Sequence, residues 1–541
     1  MTLMKKEILV FAVFVGIILI LWPTAPLWSS LWIERLIFVA YSIIIFVILK
    51  KTGRITQEDR AIEDNATKKQ SKFFKYLLLA SVVILIITRL IPFIHWGETP
   101  LGYDTGFYLM RINLEETKGV YSLFQILLKR IGLDPLTILH ATYILLNISI
   151  AGSLYILQKS INKRHTILIG IISIFLFSIS ITQFRSYWWM IAHQNVAMSL
   201  LVLTIALLFT KPFLAIIPLL SGILIHIPTF IPLLLTIPII IIVNLAKRIF
   251  FKIKLEKYIL YLIILFVIAL TIVLIVEYDM ILLRFKNYIL ENKFLTTNMP
   301  TWKVEEEKGA FLPSSFIYYT DMVIIPFAIF GLLKNRYKTA NQTLLISVIA
   351  VILLAFSYFP VIYQNRFSII FDLFLIVIAS PQIFIFFTFL AQTKTKKIIL
   401  TMLVMLMFAQ ITLVSWAQPS QITKTELNEL KAVGVSTEKE ARIMATDSFY
   451  TPWVYAFSNR ITIGPGYLND SWDLDKWKEF WAGKNYEEKQ KLLKEPSHPL
   501  YIFIGDKQPK LEFIKFIKTD PSFTQISQHI WKHTLNNAKS N

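Results

Sequence analysis

One polar loop combines a residue suited to acid–base chemistry with tight-turn residues and aromatic side chains. It follows an apolar run and reads IHWGETPLGYDTGFY, residues 94–108. Asp104 lies within this loop, and Glu98 precedes it by six residues. A carboxylate held at the edge of an apolar bundle loses solvent, which raises its basicity and suits it to accept a proton from a hydroxyl group. Asp104 is therefore a candidate general base. The alternative is that it caps the helix that begins near Phe107.

Two arginines provide candidate contacts for an anion. Arg185 belongs to the segment RSYWW, and Arg366 to the segment YFPVIYQNRF. Both follow apolar runs on the side of the membrane where lysine and arginine are otherwise scarce. A guanidinium group binds phosphate or carboxylate through two parallel hydrogen bonds, so each arginine could hold such a group. The alternative for each is anchoring at lipid headgroups.

Three ring side chains accompany these arginines and are candidate substrate contacts together with Glu98. His193 lies at the start of the apolar helix that follows Arg185. Tyr363 lies in the turn before Arg366, and His226 lies in the segment HIP between two apolar runs. Aromatic and imidazole groups at such turns can contact a substrate. His226 could equally be a turn histidine whose hydrogen bonds are satisfied locally.

The composition requires that these residues be positioned by a membrane-embedded helical bundle. The 541 residues are 55% hydrophobic and only 17% charged, whereas soluble domains carry about 25% charged residues. The absence of cysteine excludes disulfides, thiolate metal sites and cysteine nucleophiles. The net charge of +20 is explained by basic cytoplasmic loops, and we expect no nucleic-acid partner.

Apolar runs near bilayer length predict thirteen transmembrane helices, that is, an all-α polytopic bundle. Loop lysines and arginines place the N-terminus in the cytoplasm. The run 213–244 carries basic residues at both ends, so we expect a hairpin that turns at His226 rather than one long helix. The predicted spans are 8–22, 31–49, 76–94, 136–157, 166–184, 190–210, 213–226, 229–244, 258–277, 321–333, 341–359, 367–391 and 398–416.

The chain divides into three parts. Residues 1–75 hold two spans and a charged cytoplasmic loop, and residues 76–416 form the main bundle with an outer catalytic loop at 95–134. Within that loop, two short amphipathic stretches predict interfacial helices at 107–116 and 120–131. Residues 417–541 predict a small extracytoplasmic α/β domain. Its predicted helices are 425–433, 474–483 and 486–494, and its predicted strands are 442–445, 460–463 and 501–504.

The arrangement resembles the glycosyltransferase-C superfamily of multi-pass enzymes, which use polyprenyl-phosphate-linked sugars on the outer face of the membrane. The resemblance rests on GYDTGFY in the first outer loop, the interfacial helices behind it, the HIP hairpin, the YQNRF turn and the outer tail. It implies that Asp104 is catalytic and that Arg366 and Arg185 hold the lipid phosphate. In this chain two spans precede the helix that is first in the family, and no second acidic residue adjoins Asp104.

The resemblance implies an inverting glycosyl transfer at the cell membrane from a polyprenyl-phosphate sugar to an acceptor hydroxyl, which a glycan, lipid or protein would supply. No organic cofactor is expected, and a divalent cation is left unassigned. No HExxH, Walker A, GxSxG or GxGxxG motif occurs, so metalloproteases, serine hydrolases, P-loop pumps and Rossmann enzymes have no support. The main alternative is a secondary transporter or flippase for a lipid or glycan precursor, for which Asp372 is the notable mid-span acid. A purely structural protein is a third reading.

Overall fold

The protein is described here from a computed structural model. The described residues are 11–13, 15, 30–58, 63–97, 102, 104–113, 120–188, 192–252, 257–284, 321–334, 337–358, 364–446, 449–465, 472, 474–482, 486–496, 499–508 and 512–534. Their helices before the C-terminal region are α1 (Ser30–Glu58), α2 (Glu63–Trp96), α3 (Thr105–Asn113), α4 (Val120–Arg130), α5 (Pro135–Ile161), α6 (Thr166–Ile179), α7 (Ile181–Trp188), α8 (Ala192–Thr210), α9 (Ile216–Ile225), α10 (Ile227–Phe251), α11 (Lys257–Arg284), α12 (Ile325–Lys334), α13 (Ala340–Tyr358), α14 (Gln364–Leu390) and α15 (Lys394–Trp416).

Long apolar helices dominate this part of the chain, as the composition predicts. Within the described residues, eight helices are long and apolar enough to cross a membrane. They correspond to segments of α2, α5, α8, α10, α11, α13, α14 and α15, and three shorter apolar helices lie at 166–179, 212–225 and 325–334. The multi-pass character is thus supported, and the count of thirteen spans stays a prediction. Most of the predicted span 8–22 lies outside the described residues.

The helix α14 forms the centre of the bundle. In its span Arg366–Leu390, 72% of the most apolar window is buried inside the protein, the highest fraction among the eight spans. Helices α12 and α13 pack on it, as do α6 and α7. A side chain on α14 therefore lies within protein rather than against lipid, which is where polar groups of a membrane protein can be satisfied.

One predicted span is interrupted. The segment 166–184, expected as one helix, consists of α6 and α7 separated at Ser180, whose φ of −64° and ψ of 121° are extended. The Ser180 hydroxyl accepts a hydrogen bond from the Gln183 N–H at 2.9 Å and so caps α7. The physical reason for the difference is this internal N-cap, which an unbroken apolar run conceals.

The run 213–244 forms two helices, as the sequence predicts. His226 separates α9 from α10 with φ −159° and ψ 88°, which is not helical. Pro228 falls in the first turn of α10, where its missing N–H costs nothing. The ring of Phe230 packs directly over Gly222, eight residues earlier, so the chain turns back sharply on itself. The broken arrangement expected at His226 is present.

The C-terminal region is a five-stranded mixed sheet with helices on both faces. Its elements are α16 (Lys424–Ser436), β1 (Arg442–Ala445), α17 (Thr451–Ser458), β2 (Ile461–Ile463), α18 (Leu474–Ala482), α19 (Tyr486–Lys494), β3 (Leu500–Phe503), α20 (Glu512–Thr519), β4 (Phe523–Gln525) and β5 (Ile530–His533). The strand order is β2-β1-β3-β5-β4, with β1 parallel to β2 and β3, and β5 antiparallel to β3 and β4. The predicted helices and strands are present, and α17, α20, β4 and β5 are additional.

Alternating side chains divide the core of this region between the two faces of the sheet. Ile443 and Phe503 pack with α16 and α17 on one face. Met444 and Ile502 pack with α18, α19 and α20 on the other. The sheet is therefore the middle layer of an α/β/α sandwich.

This sandwich contacts the bundle through α3, the helix that follows Asp104. Helix α17 packs on α3, and a side chain at Gly106 would overlap the carbonyl oxygen of Pro452. The Trp96 indole N–H donates to the Gln418 carbonyl at 2.6 Å, which fastens the end of α2 to the start of the tail. The tail therefore packs on both described ends of the loop that the sequence singled out.

Candidate functional site

Asp104 lies at the N-cap position of α3, with its side chain directed to α14. Its carbonyl accepts the Tyr108 N–H at 3.1 Å, the first helical hydrogen bond. Its carboxylate Oδ2 lies 3.8 Å from Nη2 of Arg366, and the two side chains are 19% and 28% exposed. Burial raises the pKa of Asp104 from 3.8 to about 6, although the Arg366 charge lowers it. The carboxylate is thus a stronger base than an exposed aspartate and is ionised at neutral pH.

Arg366 is positioned by the first turn of α14 and by the start of α8. Its backbone carbonyl accepts a hydrogen bond from the Gln194 side-chain amide at 2.9 Å. Gln194 is itself buried, so this bond forms away from competing solvent. The guanidinium therefore projects from a fixed backbone toward Asp104.

His193 joins the same group through Tyr108, which lies one helical turn after Asp104. The Tyr108 hydroxyl and His193 Nδ1 are 2.8 Å apart, and the His193 backbone N–H donates to the same hydroxyl at 3.3 Å. Their ring centroids are 5.2 Å apart. Because Gln194 follows His193, the start of α8 contacts both Tyr108 on the helix that Asp104 begins and the backbone of Arg366.

His226, at the break between α9 and α10, lies close enough to this group for the charges of Arg366 and His193 to act on its ring. Its Nδ1 lies 2.8 Å from the Thr229 hydroxyl. Burial, together with the charges of Arg366 and His193, lowers the pKa of His226 to about 3. The ring is therefore neutral and can donate or accept a hydrogen bond without adding positive charge.

Arg185 is the exception among the sequence candidates. It lies on α7 near Asp321, and its charge acts on that carboxyl. The remaining candidates, Glu98 and Tyr363, lie outside the described residues. The structure thus brings together Asp104, Arg366, His193 and His226, and it places Arg185 beside a different carboxyl group.

Sequence reasoning missed Asp321 and Tyr108. Asp321 precedes the short helix α12, and its carboxyl lies within hydrogen-bonding range of Asp372. The one available signal was an acidic residue directly before an apolar run. Tyr108 was part of the quoted loop, but its link to His193 joins residues 85 apart in sequence, which no local pattern predicts.

One three-residue group within the described part of the chain has metal-ligand geometry, and it belongs to the tail. The ligand atoms of Glu426, Asp506 and His529 all lie within 4.8 Å of one another. Both oxygens of Glu426 already accept backbone N–H groups, from Asp506 at 2.8 Å and from Thr423 at 2.6 Å. His529 Nε2 lies 3.0 Å from Asp506 Oδ1. These hydrogen bonds connect α16 to the segments that follow β3 and precede β5.

The group around Asp104 can support transfer to a hydroxyl. It places a basic carboxylate, a guanidinium and a neutral imidazole at one end of the bundle, beneath the tail. A comparison with protein-family models finds no match, and a comparison with curated protein sequences finds no matching relative.

Proposed function

We propose that this chain is a membrane glycosyltransferase that moves a sugar from a polyprenyl phosphate to an acceptor hydroxyl at the outer face of the cell membrane. The observation that carries the proposal is the Asp104–Arg366 pair. A carboxyl with a pKa near 6 and a guanidinium lie 3.8 Å apart, partly shielded from solvent. One group can take a proton while the other binds a phosphate, within the breadth of a single sugar.

The reaction uses these groups in one displacement. The Asp104 carboxylate removes the proton from the acceptor hydroxyl as that oxygen attacks the anomeric carbon. The bond between the anomeric carbon and the phosphate oxygen breaks, and polyprenyl phosphate leaves with the bonding electrons. Arg366 stabilises the negative charge that develops on this phosphate. A single displacement of this kind inverts the anomeric configuration.

The neighbouring groups define the rest of the proposed site. His226 and His193 contribute hydrogen-bonding capacity toward the sugar, and the hydroxyl of Tyr108 orients His193. The tail, packed on α3, limits the entry of water, which would otherwise compete with the acceptor. Orientation with the N-terminus in the cytoplasm and the tail outside is part of the proposal.

The test is transfer by the purified full-length protein from defined polyprenyl-phosphate hexoses and pentoses. We expect Asp104→Asn to lower the transfer rate by about 10²- to 10⁴-fold, because asparagine cannot accept the proton. Binding of the lipid-linked sugar should persist. Asp134→Asn is the matched control, since Asp134 is an exposed carboxylate that caps α5 at the same end of the bundle. Near-normal transfer by Asp104→Asn would remove Asp104 as the base and shift attention to Glu98.

One observation favours a second candidate, a secondary transporter or flippase for a lipid or glycan precursor. Asp372, within the central helix, contacts a second carboxyl from Asp321, and buried carboxyls of this kind serve ion-coupled carriers. A carrier would move the intact precursor across a vesicle membrane without cleaving the sugar–phosphate bond. Release of free polyprenyl phosphate by the purified protein distinguishes the transferase from the carrier.

A further inference from the structure

A buried polar cluster surrounds Asp372 and is separate from the Asp104 group. Asp372 lies on α14 six residues after Arg366, about 9 Å further along the helix. Its side chain is fully buried. A lone charge in such a position is costly, so its surroundings must either neutralise it or satisfy it.

Donors occupy one oxygen of this carboxyl. Asp372 Oδ2 accepts the Ser180 hydroxyl at 2.9 Å and the Gln183 side-chain N–H at 3.0 Å. The same Gln183 amide nitrogen donates to the Ile369 carbonyl at 2.8 Å, which fixes the orientation of the amide because a carbonyl can only accept. An N–H group, not an oxygen, therefore faces Asp372 from this side.

Asp321 approaches the same carboxyl with both its backbone N–H and its own carboxyl group. Asp372 Oδ1 is buried and has no hydrogen-bond partner of normal geometry among the described residues. The Asp321 carboxyl lies within hydrogen-bonding range of the Asp372 side chain and of the Ser180 hydroxyl. Burial raises the pKa of Asp321, although the Arg185 charge lowers it. Two ionised carboxylates within hydrogen-bonding range would repel each other, whereas one protonated carboxyl would donate a hydrogen bond to the other.

From these contacts we infer that Asp321 and Asp372 form a proton-binding site, in which the two carboxyl groups share one exchangeable proton. A metal ion fits less well, because the donors of Ser180 and Gln183 already cover Oδ2 and because Gln183 presents nitrogen where a cation needs oxygen. The hydrogen bond made by this proton links the segment before α12 to α14. Ser180 extends the link to the junction of α6 and α7. This inference is independent of the proposed transferase activity.

Charged and titratable groups near the pair lie on α1, α2, α7 and α14. The nearest buried cation on α2 is Arg89, which donates to the Ser178 carbonyl at 3.5 Å and lies 5.3 Å from the centre of the Phe184 ring. Arg185 lies on α7 beside Asp321, and the Tyr41 hydroxyl on α1 donates to the Val323 carbonyl at 2.8 Å. Helix α6 carries no ionisable side chain, and the lysines of α12 and α15 lie at the ends of these helices away from the pair. Arg366 precedes Asp372 on α14, where it pairs with Asp104. The ionisable residue of α13 is Tyr358, whose side chain is outside the described residues.

Infrared spectroscopy of the purified full-length protein tests the shared proton directly. At about pH 8, Asp104 is ionised, so the C=O stretching band of a protonated carboxyl should come from the pair alone, with one such group per chain. Asp321→Asn and Asp372→Asn should each abolish this band, because an asparagine amide donates to the remaining carboxylate and leaves it ionised. The control Asp134→Asn should keep it. Absence of the band in the unchanged protein, or its persistence in both variants, would refute the shared proton.

A second measurement separates a proton from a metal ion and remains decisive if a variant does not fold. The melting temperature of the unchanged protein is compared in Na⁺, Mg²⁺ and choline at equal ionic strength. We expect equal values in the three salts. A rise in Na⁺ or Mg²⁺ that grows as the pH increases would assign the site to a cation and overturn the inference. In addition, ¹³C-labelling of aspartate should shift the carboxyl band of the unchanged protein, and an unshifted band would refute the assignment to aspartate.

Discussion

Replacing Asp104 by asparagine should change how the stability of the protein depends on pH. Burial raises the pKa of this carboxyl from 3.8 to about 6, so the folded protein binds the proton more tightly than the unfolded chain does. The stabilisation from this proton is complete below pH 3.8 and is lost as the pH rises to about 6. One unit of pKa corresponds to 1.36 kcal/mol, so this loss amounts to about 3 kcal/mol. The Asp104→Asn variant lacks the titrating group and should lack this decline.

Thermal unfolding in detergent, followed by tryptophan fluorescence, measures the effect. We expect the melting temperature of Asp104→Asn, relative to the unchanged protein, to be higher at about pH 7.5 than at about pH 4. Asparagine caps a helix about as well as aspartate, so the substitution should not change the melting temperature through loss of the α3 N-cap. The matched control is Asp134→Asn, which removes an exposed carboxylate from the start of α5. A difference between variant and unchanged protein that stays constant over this pH range would refute the burial of Asp104 on which the site is built.

Three further changes test the Asp104–Arg366 pair, the packing of the tail and the orientation of the chain. Arg366→Gln removes the cation that lowers the pKa of Asp104, so the decline in stability should extend to higher pH in the same melting experiments. Gly106→Ala forces a methyl group against a backbone carbonyl of α17 and should cost about 1 to 3 kcal/mol, with faster proteolytic release of the tail. Gly152→Ala is the control: its methyl group would meet nothing within 4 Å, so it should neither lower the stability by this amount nor speed release of the tail. Reporter fusions at Lys68 and Lys539 should report opposite sides of the membrane, and a common side would contradict the proposed orientation.

The sequence predicted the parts of the fold that depend on local pattern. Long apolar runs identified the membrane helices, and the alternation and turn residues of the tail identified strands such as β1 within a residue of their observed ends. The short strands β4 and β5 were not predicted, because three or four residues that include lysine, histidine and glutamine give no clear periodicity. They are strands because β5 pairs with β3.

The candidate site was predictable where residue type and position sufficed. Asp104 and Arg366 each stand out beside an apolar run, whereas the contact between them joins residues far apart in sequence. Asp372 also stands out, as an acid within an apolar run, but its contact with Asp321 joins residues 51 apart in sequence and has no local signal. The break at Ser180 had a local signal, the serine followed three residues later by Gln183, which is typical of a helix start. The apolar run around it obscured that signal.

The packing of α17 on α3 has a consequence for how the protein is made. Gly106 faces Pro452, so 346 residues must be added after Gly106 before its partner exists. At about 5 to 20 residues per second, this interval lasts roughly 17 to 70 s. During that time the helix that carries Asp104 is already synthesised but lacks its cover. A chain whose synthesis stops within the bundle would therefore expose Asp104 to water, and the site is covered only after α17 has been added.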